Sequence, residues 1–201
     1  MIVKKERVDM SQKLYNQLIA GHQGLGAGTM RDVILPAILG KETDEMLYWI
    51  GKDLARVYPV ATAEDLVYLT NQLGFGRLAL RKKSNTSQVW RLSGVIVKER
   101  IQRDEEETSF GLECGFLAQE VEFQLGTVAE AKIFDRHRDY VDILIQNDPQ
   151  SSADNERSEM VTFITVDRPD EKEDAPKKET RHSLLKRRKK DKNKFKISSR
   201  R

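Results

Sequence analysis

Cysteine is nearly missing from this sequence: Cys114 is the only one in 201 residues. That excludes an intramolecular disulfide framework and a zinc site built from cysteine alone. Histidine is almost as scarce, with His22, His137 and His182 scattered over a glycine-rich stretch, a turn and the C-terminal segment. A catalytic cysteine needs a base beside it and a metal needs clustered ligands, so no catalytic residue, metal site or cofactor is expected. Long apolar runs are lacking too. The longest, Val33 to Leu39, is far short of the roughly 20 residues that cross a bilayer, and Met1 to Met10 is charged where a secretory signal would be apolar. The expectation is a soluble, cytoplasmic protein. The glycines form no nucleotide fingerprint either. In Gly21-His22-Gln23-Gly24-Leu25-Gly26-Ala27-Gly28 the G-x-G-x-x-G spacing fails, because Thr29 or Arg31 stands where the third glycine belongs, and the run reads as a linker.

Charge is abundant and unevenly placed. Between 175 and 201 there are 13 Lys/Arg and two acids, a local charge of +11, which leaves 22 Lys/Arg against 30 acids, or −8, on the other 174 residues. A basic tail on an acidic body suits contact with a polyanion. Lys186, Arg187, Arg188, Lys189 and Lys190 are the candidates for weak binding of nucleic acid or anionic membrane. A solvated tail with no specific target is the competing reading.

Hydrophobic periodicity divides the chain into a flexible extension over 1–28, a folded domain over 29–148 and a largely disordered extension with the basic tail over 149–201. A short helix fits residues 11–20. Val33, Ile34, Ile38 and Leu39 recur at helical spacing up to Gly40, with Pro36 expected to kink or break that helix. A buried helix follows from Thr43 or Asp44. Its apolar face is Leu47, Ile50, Leu54 and Val57, and Gly51 with Ala55 makes a small-residue strip for close helix approach. Thr62 with Asp65 opens a third helix, as in a capping box, and Gly74 closes it.

The period then falls to two through Leu78 to Leu92, predicting a hairpin turned at Ser84 to Ser87. A short helix is expected over 94–102, and Asp104 to Glu107 reads as a solvated acidic loop. A helix around Cys114 carries two apolar stripes, one through Phe110, Cys114, Leu117, Val121 and Leu125, the other through Leu112, Phe116 and Phe123. Ala131 to Ile145 predicts a second hairpin turned at Arg136 to Asp139, after which Gln150 to Glu159 reads as polar linker and Met160 to Val166 as an isolated β-prone run. The class is α+β: N-terminal helices packed on a small antiparallel sheet of two hairpins, with a central amphipathic helix.

Three blocks, Arg31 to Gly40, Met46 to Arg56 and the Ser109 to Leu117 helix entry, resemble the YslB-like family of uncharacterised bacterial proteins in order and content. More distantly, Leu112 to Leu117 through Ala129 to Lys132 is similar to the C-terminal half of the TRAPP-component and vinyl-reductase (hydrocarbon-binding) fold. That resemblance implies a non-enzymatic module that dimerises through its helices and holds an apolar chain in some members. The cysteine acylated in those members has no counterpart, since Pro59-Val60-Ala61 stands there.

The expected function is therefore a non-enzymatic binding module, a homodimer that takes a small apolar molecule, a lipid or a protein partner. The alternative is a scaffold with a filled core, tethered to nucleic acid or anionic membrane by its tail. Pocket candidates are Phe110, Cys114, Leu117 and Val121, and dimer-interface candidates are Trp49 and Ile50 on the second helix. Cys114 is expected to be buried and inert, a small hydrophobe in practice.

Overall fold

The computed structural model describes residues 12–103, 108–153 and 161–168. The chain divides into the units 1–166 and 167–201. Only two residues of the second are described, so the basic tail candidates lie outside the described residues, as does the acidic loop Asp104 to Glu107.

The fold is α+β. Helix α1 covers residues 12–20. Helix α2 (Leu25–Thr29) leads into a π-helical turn, Met30–Ile34, and then α3 (Leu35–Leu39). Next come α4 (Thr43–Val57) and α5 (Ala63–Gln72), strands β1 (Arg77–Lys83) and β2 (Ser87–Ser93), helices α6 (Val95–Arg103) and α7 (Gly111–Leu125), and strands β3 (Thr127–Arg136) and β4 (Tyr140–Ser152). All four strands join one antiparallel sheet in the order β1-β2-β4-β3, so β1 and β3 are its edges. No helix among the described residues is long and apolar enough to cross a membrane.

Several expectations change here. The glycine-rich linker is half helical. Gly28 sits where a Cβ would lie 2.7 Å from the Leu18 side chain, so its small size lets α2 close onto α1. Pro36 does not break its helix. The Leu35 N–H reaches back to the Met30 carbonyl, five residues away, and this widened turn delivers the chain to Pro36 near the start of α3. Strand β4 runs to Ser152, through residues read as linker. The run 161–166 forms no strand, yet Val166 enters the core and the Ile164 N–H donates to the Pro59 carbonyl at 2.9 Å.

Helix α4 turns inward only part of the apolar face expected of it, with Leu54 packed against the core. Leu47, Gly51, Lys52 and Ala55 are buried, whereas Ile50 is exposed and Val57 is 61% exposed. The cause is α7, which packs on the small-residue strip. A Cβ at Gly51 would meet the Leu112 carbonyl and lie 2.7 Å from the Phe116 nitrogen. From the other helix, Gly111 meets the Asp44 carbonyl and Gly115 the Tyr48 carbonyl, backbone against backbone. Such contact is open only to glycine, and it fixes which side of α4 faces the core.

The core gathers Leu66, Phe75, Leu78, Trp90, Leu92, Phe110, Phe116, Leu117, Val121, Val141, Ile143 and Ile145 around α7 and one face of the sheet. Among the described residues it draws none from before Tyr48, the buried Leu18 and Leu47 lying outside this cluster. Residues 12–42 thus form an arm attached by other means. His22 binds Glu99 through its N–H at 2.9 Å and its ring Nδ1 at 2.7 Å. Arg31 pairs with Glu113, Asp32 pairs with Arg103 and, at 3.3 Å, with Arg100, and the Arg31 guanidinium lies 5.3 Å from the Phe75 ring centre. Part of the arm's apolar surface points the other way, with Ile38 74% exposed and Met30 and Ile34 also out.

Candidate functional site

Helix α4 lies beside the free edge of β3, and the first turn of α7 closes the end between them. Together they leave an open groove of about 390 Å³ lined by Asp44, Glu45, Tyr48, Trp49, Gly111, Cys114, Ala131, Lys132 and Ile133. The glycine contacts at Gly111 and Gly115 set its depth, because any larger residue there would push α7 away from α4. Trp49 stands over it at 58% exposure, its ring edge-on to Tyr48 with centres 5.9 Å apart. Neither Asp44 nor Glu45 forms an ion pair among the described residues.

A polar clasp holds α4 to the strand at one end of the groove. Buried Lys52 reaches Glu130 at 3.0 Å and the Ala129 carbonyl at 3.4 Å, and lies 5.7 Å from the Trp49 ring centre. The Tyr48 hydroxyl donates to Glu130 and accepts the Ala131 N–H at 3.3 Å. Burial and the Glu130 hydrogen bond raise the Tyr48 pKa, so the phenol keeps its proton.

Of the four pocket candidates, only Cys114 lines this groove. Phe110, Leu117 and Val121 pack in the core, Phe110 beneath the Arg100 guanidinium at 4.7 Å. Leu125, assigned to the same stripe, is exposed beyond the last buried turn. Burial pushes the Cys114 thiol far up, and the nearby Glu113 and Asp44 charges add to that, so no thiolate nucleophile forms. Among the described residues no three His, Cys, Asp or Glu side chains gather as metal ligands would. Trp49 and Ile50 both face outward, on one side of α4 with Met46 and Val57.

Sequence reasoning missed the buried charges of α7. Glu113 takes both Arg31 and Arg100 on Oε1, and its Oε2 has no partner among the described residues. Arg100 also donates to the Ser109 carbonyl at 2.7 Å. Seven residues on, Glu120 is fully buried; Oε2 accepts the Val60 N–H at 3.0 Å and Oε1 has no partner among the described residues. The available clue was the seven-residue spacing of two glutamates in a helix apolar on both sides, which places them on one face inside the fold.

Burial lifts the Glu120 carboxyl to about 8 from its ordinary 4.5, with the Val60 hydrogen bond opposing. The folded chain keeps a proton there that the unfolded chain has lost. The stability this contributes is complete below pH 4.5 and is lost as the pH rises through about 8. Glu120→Gln keeps the shape without the charge, so it should flatten this dependence and exceed the parent in stability above pH 8. Urea midpoints from about pH 5 to about 9 check it. An unchanged slope in the variant would clear Glu120 of the effect.

Comparison with known proteins adds a family. A family model described as "Protein of unknown function (DUF2507)" matches residues 24–146, from the glycine before α2 into β4. The chain is also 30% identical over 102 residues to "Uncharacterized protein YslB" of Bacillus subtilis (strain 168), covering 51% of this chain and 68% of that protein.

Proposed function

This chain belongs to the DUF2507 family, and on that footing we propose that it is a non-enzymatic binding module that works through the outer face of α4 and the adjoining groove. One observation carries the reading. Met46, Trp49 and Ile50 form an exposed apolar cluster on a well-packed helix, set off from exposed Val57 by the Asp53–Arg56 ion pair, and the cluster runs into the groove at Trp49. Exposed apolar surface gathered in one place costs solubility and is commonly kept for a partner. The Cys114 helix fills its surroundings with side chains, so we place ligand-sized space at this surface and not in an interior chamber.

The first partner is a second copy. Ile34 and Ile38 on the arm are exposed as well, and large aromatic side chains such as Trp49 are typical anchors of such contacts. The element order, a helix pair and a strand pair repeated once from α4 to β4, supports a TRAPP-like placement of the family. Sedimentation of the full chain at about 10–50 µM, a range that reports weak dimers, is expected to give a dimer, and Ile50→Glu or Trp49→Ala a shift toward monomer. A monomeric parent would end the dimer reading. Polyanion contact through the basic tail is a separate proposal, resting on charge alone.

A further inference from the structure

We infer that the groove takes an extended peptide segment from a partner protein, added as a strand to the edge of β3 at Ile133, with an apolar side chain in the groove and a basic one beside Asp44 and Glu45. The inference rests on the reading of the groove as a binding site and adds the chemistry of its occupant.

Register carries the argument. Ala129, Ala131 and Ile133 pair with Asn147, Ile145 and Ile143 on β4, two residues apart along a regular stretch, so all three present their N–H and C=O groups the same way. That way is outward, since the Ala131 N–H is given to the Tyr48 hydroxyl. The edge is sealed group by group from one end. Ala129 N–H goes to Glu122 at 3.2 Å, Ala129 C=O to Lys52 at 3.4 Å and Ala131 N–H to Tyr48 at 3.3 Å. The seal stops there. By the same register the carbonyl of Ala131 and both backbone groups of Ile133 point away from β4, no bond from outside the sheet reaches them among the described residues, and the groove opens beside them.

Folded proteins normally cover or disrupt open edges, because an unpaired strand is a template for another. Here α4 covers the first half and leaves the second bare, with Phe134 61% exposed at the register shift that follows. An added strand would meet backbone groups along one side, and its alternate side chains would reach Tyr48, Trp49 and Cys114. Asp44 and Glu45 at the rim form no ion pair among the described residues and outnumber the single cation in the lining, Lys132, so the groove favours a basic residue over a phosphate-bearing ligand. The groove flanked by α4 admits a single extended chain more readily than the edge of a second copy, which carries its own α4.

A displayed library of random peptides about ten residues long, enough for one strand, panned on the full chain tests this. Enriched peptides should combine an apolar residue with Lys or Arg two positions away and should protect the Ile133 amide from hydrogen exchange. Methylating alternate backbone nitrogens of a selected peptide should weaken binding about tenfold, the loss of one hydrogen bond. Ile133→Pro should do the same, since that N–H serves no ladder bond. Binding indifferent to N-methylation but lost in Trp49→Ala would overturn strand addition and leave the groove intact. Binding indifferent to both would remove the groove as well. Absence of enrichment, or the same amide protected by a second copy without peptide, would also overturn the peptide proposal.

Discussion

Gly115→Ala is expected to destabilise the fold by about 3 kcal/mol, the upper end of what overpacking a tight interior costs. The same exchange in an open helix adds stability, by up to about 1 kcal/mol, because alanine loses less backbone freedom on folding. At Gly115 the sign reverses. The new methyl would overlap the Tyr48 carbonyl oxygen and lie 2.7 Å from its carbon, so one helix backbone must move away from the other. Gly26→Ala is the matched control, since nothing lies within 4 Å of a Cβ there, and it should raise stability by a few tenths of a kcal/mol. Urea unfolding of the two variants measures both. Equal effects would disprove the close crossing of α4 and α7.

The second large effect belongs to Glu113. Glu113→Ala leaves the buried Arg31 and Arg100 guanidinia without the carboxylate that both share, and breaking such a buried set costs about 3–5 kcal/mol. The loss should be uneven. Residues 12–42 add no side chain to the main core, so the arm should be freed before the sheet opens. Hydrogen exchange across residues 25–42 should quicken in Glu113→Ala under conditions where β2 and β4 remain protected. An arm exchanging as slowly as in the parent would show that its hold lies elsewhere. Replacing Arg31 and Glu113 together by apolar residues of similar size should recover part of the loss, because the penalty comes largely from charge left unpaired.

What the sequence disclosed followed from local rules. Thr62 accepts the Asp65 N–H at 3.0 Å as a cap should, and Leu78, Trp90 and Leu92 take the inward side of their strands. The close approach at Gly51 and Ala55 was visible as a strip of small residues. The inward face of α4 was only half legible: Leu47 and Leu54 do pack inward, but Ile50 and Val57 turn out, because packing here is decided by which backbone comes closest and no periodicity count registers that. Hydrophobic pattern likewise placed Phe110, Leu117 and Val121 on buried surface without distinguishing the wall of a groove from the middle of a core. The groove arises from pairing across distance, α4 against β3, and no window of neighbouring residues contains it. Glu113 and Glu120 were hidden for the same reason: their partners Arg31 and Val60 lie far away in sequence.

The glycine crossing also bears on the rate of the binding proposed for the groove. Its helical wall and its floor meet through backbone at Gly51, Gly111 and Gly115, with no rotamers between them to slide or repack. A visitor therefore finds the cleft already shaped, and little ordering entropy remains to be lost on arrival. Association should follow simple collision kinetics, with a rate rising linearly with concentration and no slow rearrangement behind it. Differences among visitors would then be written almost wholly in how long each one stays.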